Sequence, residues 1–503
     1  MQLRDLTKLL LFASPALSAS LLVKKALIQD CLNDAKVPQV EPESADYPAI
    51  IKPFNLRVPF KPVGVALPST VEHVQAAIAC AVKNKVTVSA RGGGHSYASH
   101  GLGGEDGHLV LDMKGFKEVS LDKESGVATV GSGNRIGEMA IQLWDEAGVG
   151  ISHGTCPTVG VAGLTLHGGY GLSSRGKGLA LDNLVGVDLV LADGTLVSAS
   201  KDENAELFWG IQGAGSSFGI ITAFKFQTFT PPAENIAYEY IIPPENVTAE
   251  EVTAMIEILQ DYTINKQSEN MNMRFFFFPA SISLTGVYHG SLADYEAEIN
   301  PLIEQIAPVF KNWTGVVTVK EPQVFNWIEA IEYFAFGPMD PEELPRENFF
   351  AKSLMPPELK PEAIAAAVEY MYAEALPLDR NDWYLLWDHH GGASSAVSAV
   401  AGDATSYAHR QAIFKMQFYD RIPNNETYPE DGEKFLNGWV SAVQEAQGNA
   451  DSIGMYVNYA DTTLGAEEAH HFYWLDHYEK LNELKSQYDP NKVFLNPQAV
   501  GSA

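Results

Sequence analysis

The first half of the chain alternates short apolar runs with glycine-rich connections. Runs rich in β-branched residues predict strands over residues 86–90, 109–113, 127–131, 185–191, 195–200 and 219–229. The pair Asp193-Gly194, between the fourth and fifth of these, predicts a tight hairpin. Apolar positions at helical spacing predict a helix over residues 136–147. Because strands and helices do not alternate regularly, the pattern favours an α+β fold over a doubly wound sheet.

The pattern changes over residues 236–450, where longer amphipathic stretches alternate with aromatic-rich runs. The stretches predict helices over residues 249–262, 292–310 and 360–375, and the runs predict strands over 271–278, 281–288 and 383–387. A further helix is predicted around residues 477–488. Helices on one face of an antiparallel sheet would bury these apolar sides and leave the other sheet face open.

The length of 503 residues exceeds what one hydrophobic core usually organises, so we expect two substantial domains. Residues 1–19 are typical of a signal peptide, with Arg4 and Lys8 before a short apolar stretch and small residues, and cleavage is expected near Ser18 or Ala19. Beyond this segment, no apolar run is long enough to span a bilayer.

The formal net charge of −29 argues against a nucleic-acid partner, because a polyanion would be repelled. It fits a soluble extracellular protein without a membrane partner. Asn246, Asn312 and Asn425 lie in glycosylation sequons, which supports passage through a secretory pathway. We therefore expect a secreted protein and a monomer.

The chain has three cysteines, an odd number for an oxidising compartment. Cys31 and Cys80 both lie in the N-terminal region and are the natural disulfide pair. Cys156 stands apart in a glycine-rich segment, and one interpretation of it is a buried free thiol.

Four segments of the first half are rich in glycine: residues 91–96, 131–133, 160–171 and 213–219. Glycines let a backbone approach a ligand and direct several N–H groups at one anion, and a pyrophosphate is the usual reason for several such loops. For any single loop, turn formation is the simpler explanation. Gly131, Gly133 and Gly137 miss the G-x-G-x-x-G spacing by one residue, and no Walker lysine is present. The sequence therefore indicates a dinucleotide site without a Rossmann fold or a P-loop.

Several motifs together resemble the berberine-bridge-enzyme-like family of FAD-linked oxidases, and within it the fungal oligosaccharide oxidases. They are residues 91–97, residues 154–160, Gly168-Gly169-Tyr170-Gly171 with Leu181-Asp182-Asn183, residues 202–222 and residues 456–461. The resemblance covers essentially the whole mature chain. It implies an FAD-binding domain of the vanillyl-alcohol-oxidase type in two parts, residues 20–233 and 451–503. A substrate domain, residues 234–450, would lie between them with helices on one face of an antiparallel sheet.

The resemblance also implies that FAD is bound covalently through His95 and Cys156, which leaves Cys31 and Cys80 to pair. Two bonds suit an open groove, since they prevent dissociation and raise the flavin redox potential. The other implied cofactor contacts are Arg91, Gly92, Gly93, Gly94, Ser96, Thr155, Gly160, Gly163, Gly168, Gly219, Ile221 and Asn496.

The implied catalytic base is Tyr459, which would take the proton of the anomeric hydroxyl while a hydride leaves C1. The product would be a lactone that hydrolyses to the aldonic acid, and O₂ would become H₂O₂. A phenol has a pKa of about 10 and needs help to lose its proton, for which Arg91 and Lys177 are possible positive neighbours. The resemblance points to Asp388 as the carboxylate that accepts or orients this proton, and the alternative is a turn residue before Gly391.

The implied substrate contacts are Tyr97, beside the flavin, and Gln417. Tyr384 and Trp387 could stack on sugar rings, although aromatic residues on a strand more often belong to the core. Arg274 alternates with Met273 and Phe275, so we expect it to face the groove and to influence acceptance of N-acetyl sugars. Val159 is a small residue at the position of an oxygen gate, which favours an oxidase. We expect no metal, since the adjacent pairs His389-His390 and His470-His471 lack ligand spacing.

Three alternatives remain open at this stage. A relative within the same family would oxidise a non-sugar metabolite or alcohol. A carbohydrate hydrolase would use two of the 63 acidic residues, and a sugar-binding protein would have no activity. Yellow absorbance that survives acid precipitation would exclude the hydrolase, and a sugar-binding protein would release no peroxide with any sugar.

Overall fold

Three β-sheets organise the residues that the computed structural model describes, which are 15–341, 345–380, 382–448 and 452–503. Burial and side chains are described from residue 24 onward, so the predicted signal peptide, residues 1–19, lies outside the residues described with side chains. The sheets have four, five and eight strands, and helices pack beside them. The fold is α+β, as the sequence predicts.

The first sheet carries the segment that ends at His95. Its strands are β1 (Gln39–Val40), β2 (Gly64–Ala66), β3 (Val88–Arg91) and β4 (Leu109–Asp112), and the helices of this region are α1 (Pro15–Asp34), α2 (Tyr47–Ile50) and α3 (Val71–Asn84). The order is β1-β2-β4-β3, in which β2, β4 and β3 are parallel. Helix α3 begins after Thr70, whose hydroxyl accepts the N–H of His73. A disulfide joins Cys31 of α1 to Cys80 of α3, which confirms the predicted pair.

The second sheet is antiparallel and lies next to the first along the chain. Its strands are β5 (Val119–Asp122), β6 (Val127–Gly131), β7 (Leu184–Val190), β8 (Leu196–Ala199) and β9 (Ile220–Gln227), in the order β5-β6-β9-β7-β8. Its helices are α4 (Ile136–Ala147), α5 (Val161–Leu166), α6 (Ser174–Lys177) and α7 (Ala205–Ala214). The predicted hairpin is present, and Gly194 provides its positive φ of 85°. The predicted bounds of α4 are correct, because amphipathic spacing begins at Ile136 and Gly148 ends the helix.

The third sheet is antiparallel and forms the middle of the chain. Its strands are β10 (Asn235–Ile242), β11 (Arg274–Phe278), β12 (Ser281–His289), β13 (Thr318–Val319), β14 (Gln323–Phe325), β15 (Asn348–Leu354), β16 (Trp383–His389) and β17 (Phe414–Ile422). The strand order is β13-β10-β12-β11-β16-β17-β15, and β14 also pairs with β10. Its helices are α8 (Ala249–Asn265), α9 (Leu292–Ile306), α10 (Trp313–Val316), α11 (Trp327–Ala335), α12 (Pro361–Tyr370), α13 (Ala396–Ala399) and α14 (Glu430–Gln447).

Alternation along the central strands gives this sheet two different faces. Phe275, Trp387 and Met416 point into a core shared with the long helices α8, α9, α12 and α14, and all three are fully buried. The intervening residues, among them Arg274 and Gln417, point the other way. The helices therefore cover one face and leave the second face open, as the sequence predicts.

The C-terminal segment returns to the N-terminal part through α15 (Ala466–Trp474) and α16 (Tyr478–Tyr488). Buried Lys485 of α16 donates to the carbonyls of Ser217 and Phe494 and pairs with Asp489. These bonds tie the chain end to the loop before β9. Within the described residues, no helix combines the length and apolar character that crossing a membrane requires. The predicted boundaries at 233/234 and 450/451 stay predictions.

Candidate active site

A cavity of about 610 Å³ lies between the glycine-rich loops and the open face of the third sheet. The C-terminal segment, including Tyr456 and Ala499, forms a further part of its wall. The predicted cofactor contacts that line it are His95, Cys156, Arg91, Gly92, Gly93, Gly94, Ser96, Thr155, Gly160, Gly163, Gly219, Ile221 and Asn496. Residues from regions distant in sequence thus meet at one site.

Two glycines bring the His95 and Cys156 segments together. A Cβ on Gly93 would lie 2.2 Å from the backbone N of Gly160, and a Cβ on Gly160 would lie 2.2 Å from the backbone N of Gly93. Any side chain at either position would separate the two loops. The Cys156 loop is also fixed to the start of α4, because Ile136 N–H donates to the carbonyl of Val159 at 2.9 Å.

The two candidate attachment side chains share a neighbour, Thr158. His95 Nε2 lies 2.6 Å from Thr158 Oγ1, and Cys156 Sγ lies 3.4 Å from the same oxygen. Burial, with a smaller contribution from Arg135, lowers the pKa of His95 to about 3, so its imidazole is neutral near pH 7. Cys156 is a free thiol whose side chain is exposed at the cavity. The site thus presents a neutral imidazole and an accessible sulfur.

Three charged residues lie side by side on neighbouring strands of the open face. Asp388 of β16 is in register with Arg274 of β11 on one side and with Lys415 of β17 on the other. Lys415 Nζ lies 2.5 Å from Asp388 Oδ2, and Arg274 Nε lies 3.8 Å from Asp388 Oδ1. Asp388 therefore belongs to a strand, and its interpretation as a turn residue is wrong because β16 continues to His389.

Tyr459 lies above this row of charges, on the short 3₁₀ turn Val457–Tyr459. Lys415 Nζ donates to the Tyr459 hydroxyl at 2.9 Å and lies 4.6 Å from the centre of its ring. Burial, followed by the charge of Asp388, raises the pKa of Tyr459 well above its usual value, while Arg274 acts in the opposite direction. The phenol is therefore protonated near pH 7 and is connected to a carboxylate through Lys415.

Sequence reasoning missed Lys415 and named the wrong cations. Arg91 pairs with Asp112 and donates to the carbonyl of Ile50, and Lys177 lies over the ring of Phe229, so neither bonds to Tyr459. A signal for Lys415 was present, because it is two residues from Gln417 and alternation places both on one strand face.

Aromatic side chains form the wall next to Tyr459. Tyr97 stacks on Tyr459 with ring centres 5.6 Å apart, and its hydroxyl accepts a hydrogen bond from Gln417 Nε2 at 2.8 Å. Tyr384 stacks on Tyr419 at 4.6 Å, and both line the cavity. Three predicted substrate contacts, Tyr97, Gln417 and Tyr384, thus lie on the same wall, and Arg274 also lines the cavity.

The predicted substrate role of Trp387 is wrong. Its side chain is fully buried and packs against Phe414, with ring centres 5.3 Å apart, on the helix-covered face. Tyr384 and Trp387 are three residues apart on one strand, so they point to opposite faces. Only one of these two side chains can therefore face the groove.

The predicted cofactor contact at Gly168 also needs correction. Gly168 does not line the cavity: a Cβ there would lie 2.8 Å from the Tyr456 hydroxyl, which accepts the Gly169 N–H. The glycine therefore lets Tyr456 pack closely behind the wall. Val159, the predicted oxygen gate, lines the cavity and is partly buried.

Two family models match this chain. Residues 62–200 match the FAD binding domain, and residues 455–501 match the family described as berberine and berberine like. The first match contains His95 and Cys156, and the second contains Tyr459.

Characterised oxidases are similar over nearly the whole length. A xylooligosaccharide oxidase from Thermothelomyces thermophilus is 40% identical over 95% of this chain and 95% of its own. A glucooligosaccharide oxidase from Sarocladium strictum is 37% identical over 99% of each chain.

Solved structures agree with this likeness. A xylooligosaccharide oxidase from Myceliophthora thermophila in complex with xylobiose superposes with a TM-score of 0.89, at 40% identity, over 95% of this chain and 99% of that one. A glucooligosaccharide oxidase from Acremonium strictum, with 6-S-cysteinyl, 8α-N1-histidyl FAD, gives a TM-score of 0.89 at 37% identity over 94% of this chain and 99% of that one.

Proposed function

This chain belongs to the berberine-bridge-enzyme-like family of FAD-linked oxidoreductases, and from that premise we propose that it oxidises the C1 anomeric hydroxyl of oligosaccharides with O₂ as acceptor. The observation that carries the proposal is one cavity that holds His95, Cys156 and Tyr459. Its open wall presents Gln417 and stacked tyrosines. That wall suits a sugar, which needs both hydrogen bonds and flat contacts.

The cavity fits an FAD whose flavin is bonded to His95 and Cys156. Its volume lies within the usual range for ligand sites, and its glycine-rich wall lets backbone N–H groups approach the cofactor. The eleven other predicted contacts that line the cavity, which do not include Gly168, would hold the remainder of the cofactor. When bound, the flavin supplies the hydride acceptor and passes two electrons to O₂.

The proton of the anomeric hydroxyl is removed by Tyr459 together with Lys415 and Asp388. Because Tyr459 is protonated near pH 7, it takes the substrate proton only as it releases its own. Lys415 contacts both Tyr459 and Asp388, so it gives a proton to the carboxylate, and the lone pair that this frees on Nζ accepts the phenolic proton. The net transfer runs from the anomeric hydroxyl to Asp388, and the charge of Lys415 is unchanged. The sugar leaves as the lactone, which hydrolyses to the aldonic acid, with H₂O₂ as the second product.

The open wall orients the substrate. Tyr384 offers a flat ring for a sugar face, and Gln417 is held by its bond to Tyr97. Arg274 lines the cavity, and its guanidinium could donate to a sugar hydroxyl or amide oxygen. Val159 would leave space for O₂ beside the flavin.

The protein is proposed to act outside the cell. A disulfide and exposed sequon residues at Asn246, Asn312 and Asn425 support passage through an oxidising secretory compartment. The monomeric state and the signal cleavage position stay predictions.

The proposal is tested by peroxide release from glucose-, xylose- and N-acetylglucosamine-based oligosaccharides, measured in parallel. We expect turnover with at least one series and the aldonic acid by mass spectrometry. Tyr459→Phe, with equal flavin content, is the matched inactive control. A fully flavinylated protein that releases peroxide only with non-sugar alcohols would overturn the substrate class and leave the FAD site intact.

A further inference from the structure

Thr158 has a position that the proposed reaction does not use. Its side chain is almost completely buried, with 1% exposure, and its hydroxyl lies between His95 Nε2 and Cys156 Sγ. The turn that follows Cys156, closed by the Val159 N–H on the Cys156 carbonyl at 3.2 Å, directs Thr158 back toward the sulfur. One hydroxyl therefore contacts both side chains that are proposed to bond the flavin.

The number of protons and lone pairs on these groups restricts which of their atoms can carry a proton. A hydroxyl has one proton to donate and accepts through its lone pairs, and a neutral imidazole carries one N–H. If His95 Nε2–H donates to Thr158, the Thr158 proton is free to point at Cys156, and Nδ1 keeps its lone pair. If Thr158 instead donates to Nε2, the imidazole proton lies on Nδ1, which then cannot form a bond through a lone pair. Only the first arrangement leaves a lone pair on His95 Nδ1 and also directs the Thr158 proton at Cys156 Sγ.

We propose that Thr158 is a positioning residue for flavin attachment: it holds His95 in the tautomer with the proton on Nε2, and it donates its own proton toward Cys156 Sγ. This inference rests on the proposed attachment through His95 and Cys156. The low pKa of His95 agrees with it, since a neutral ring is needed for a nucleophilic nitrogen. A hydrogen bond to sulfur also favours the thiolate, the nucleophilic form of cysteine.

Each attachment is an oxidation whose atoms balance. At His95, a C–N bond forms between a flavin carbon and Nδ1, and one flavin C–H bond and the Nε2–H bond break. At Cys156, a C–S bond forms, and one flavin C–H bond and the S–H bond break. In each case two electrons and two protons pass to O₂, the acceptor of the proposed reaction, and give H₂O₂.

The test compares Thr158→Val, which keeps the branched shape without the hydroxyl, with Thr158→Ser, which keeps the hydroxyl. Newly made holoprotein is sampled at successive times during expression, and mass spectrometry of the proteolysed chain measures flavin on His95 and on Cys156 separately. We expect about a tenfold slower appearance of both links in Thr158→Val, and near wild-type rates in Thr158→Ser, from the loss of hydrogen bonds of typical strength. Total FAD, covalent plus released, and the melting temperature are expected to stay close to wild type, which a merely structural role would not allow.

Links that form at the wild-type rate in Thr158→Val would overturn the proposal, and so would a defect confined to one link. If Thr158→Val does not accumulate as folded protein, Thr158→Ala, which removes the hydroxyl without new bulk, is judged by the same rates. Measurements on the wild-type protein distinguish failure of this inference from failure of the proposed function. A wild type without flavin on both residues contradicts the attachment itself, whereas two wild-type links with an unaffected variant contradict only the role of Thr158.

Discussion

At the residue scale, the central feature is one ammonium group that contacts a phenol and a carboxylate. Lys415 lies 2.9 Å from the Tyr459 hydroxyl and 2.5 Å from Asp388. Burial and Asp388 disfavour the phenolate, so Tyr459 depends on Lys415 for proton exchange. The three residues therefore act as one unit, and their single substitutions should not have additive effects.

Lys415→Met should lower kcat by about 10²-fold, the scale of lost acid–base assistance. Without the ammonium, the phenolic proton has no path to Asp388, so turnover needs ionised Tyr459 and the acidic limb of the pH–rate profile moves to higher pH. Steady-state peroxide release across pH 5–10 measures both effects. Lys177→Met, at a lysine that does not contact Tyr459, is the control, and a rise in KM with unchanged kcat for Lys415→Met would contradict this role.

Cys156→Ala should retain FAD through His95 alone, with a lower redox potential and slower turnover. The flavin bonds are counted by mass spectrometry of the proteolysed protein, and the potential is measured by dye equilibration. An unchanged number of flavin bonds would contradict the assignment of Cys156.

At the element scale, the site depends on the contact between two loops and on the alternation of three strands. Gly93 and Gly160 let the His95 and Cys156 segments touch, and β11, β16 and β17 place Arg274, Asp388 and Lys415 in one row. Neither contact is local in sequence, so each forms only when segments distant in sequence have come together.

Gly160→Ala should therefore reduce bicovalent flavin strongly, because its Cβ would meet the Gly93 backbone at 2.2 Å. Gly402→Ala, where a Cβ meets nothing within 4 Å, is the matched control and should behave as wild type. Site-resolved mass spectrometry of the flavinyl peptides provides the measurement. Equal flavin content in the two variants would show that the loop contact is not required.

The sequence predicts elements well where periodicity is long or a turn signal is strong, as in β6, α4 and the Asp193-Gly194 hairpin. It predicts the attachment residues through motifs but not their common contact with Thr158, which depends on the folded turn. Lys415 was missed because a charge inside an apolar strand reveals its partners only through strand pairing. The substrate role predicted for Trp387 is wrong for a different reason. Strand alternation, which can be read from the sequence, already places Trp387 and Tyr384 on opposite faces of the sheet.

At the scale of the whole molecule, several histidines are buried in neutral form. Burial lowers the pKa of His409 and of His289 to about 4, and those of His389 and His390 to about 3. In the unfolded chain these groups take up protons near pH 6.5, whereas the folded protein excludes them until the pH is much lower. The unfolded state then binds more protons, so the free energy of unfolding falls as pH drops from about 6.5 toward 4.

His409→Gln should flatten this acid dependence even if it lowers stability at pH 7. A pKa displaced from 6.5 to about 4 corresponds to roughly 3 kcal/mol at the acid end. Melting temperatures between pH 7.5 and 4.5 measure the slope, with His73→Gln on helix α3 as the control. Parallel curves for wild type and His409→Gln would exclude a contribution from His409.

A protein chain is synthesised from its N-terminus, so the order of the functional residues along the chain is also the order in which they are made. The loops with His95 and Cys156 are synthesised early, whereas Tyr459 and the C-terminal wall that ties to Ser217 come last. N-terminal segments usually fold first during synthesis. A growing polypeptide would thus carry His95 and Cys156, the proposed attachment residues, well before Tyr459, the proposed base. The proposed sugar-dependent peroxide release needs Tyr459, so it could begin only once nearly the whole chain has been synthesised.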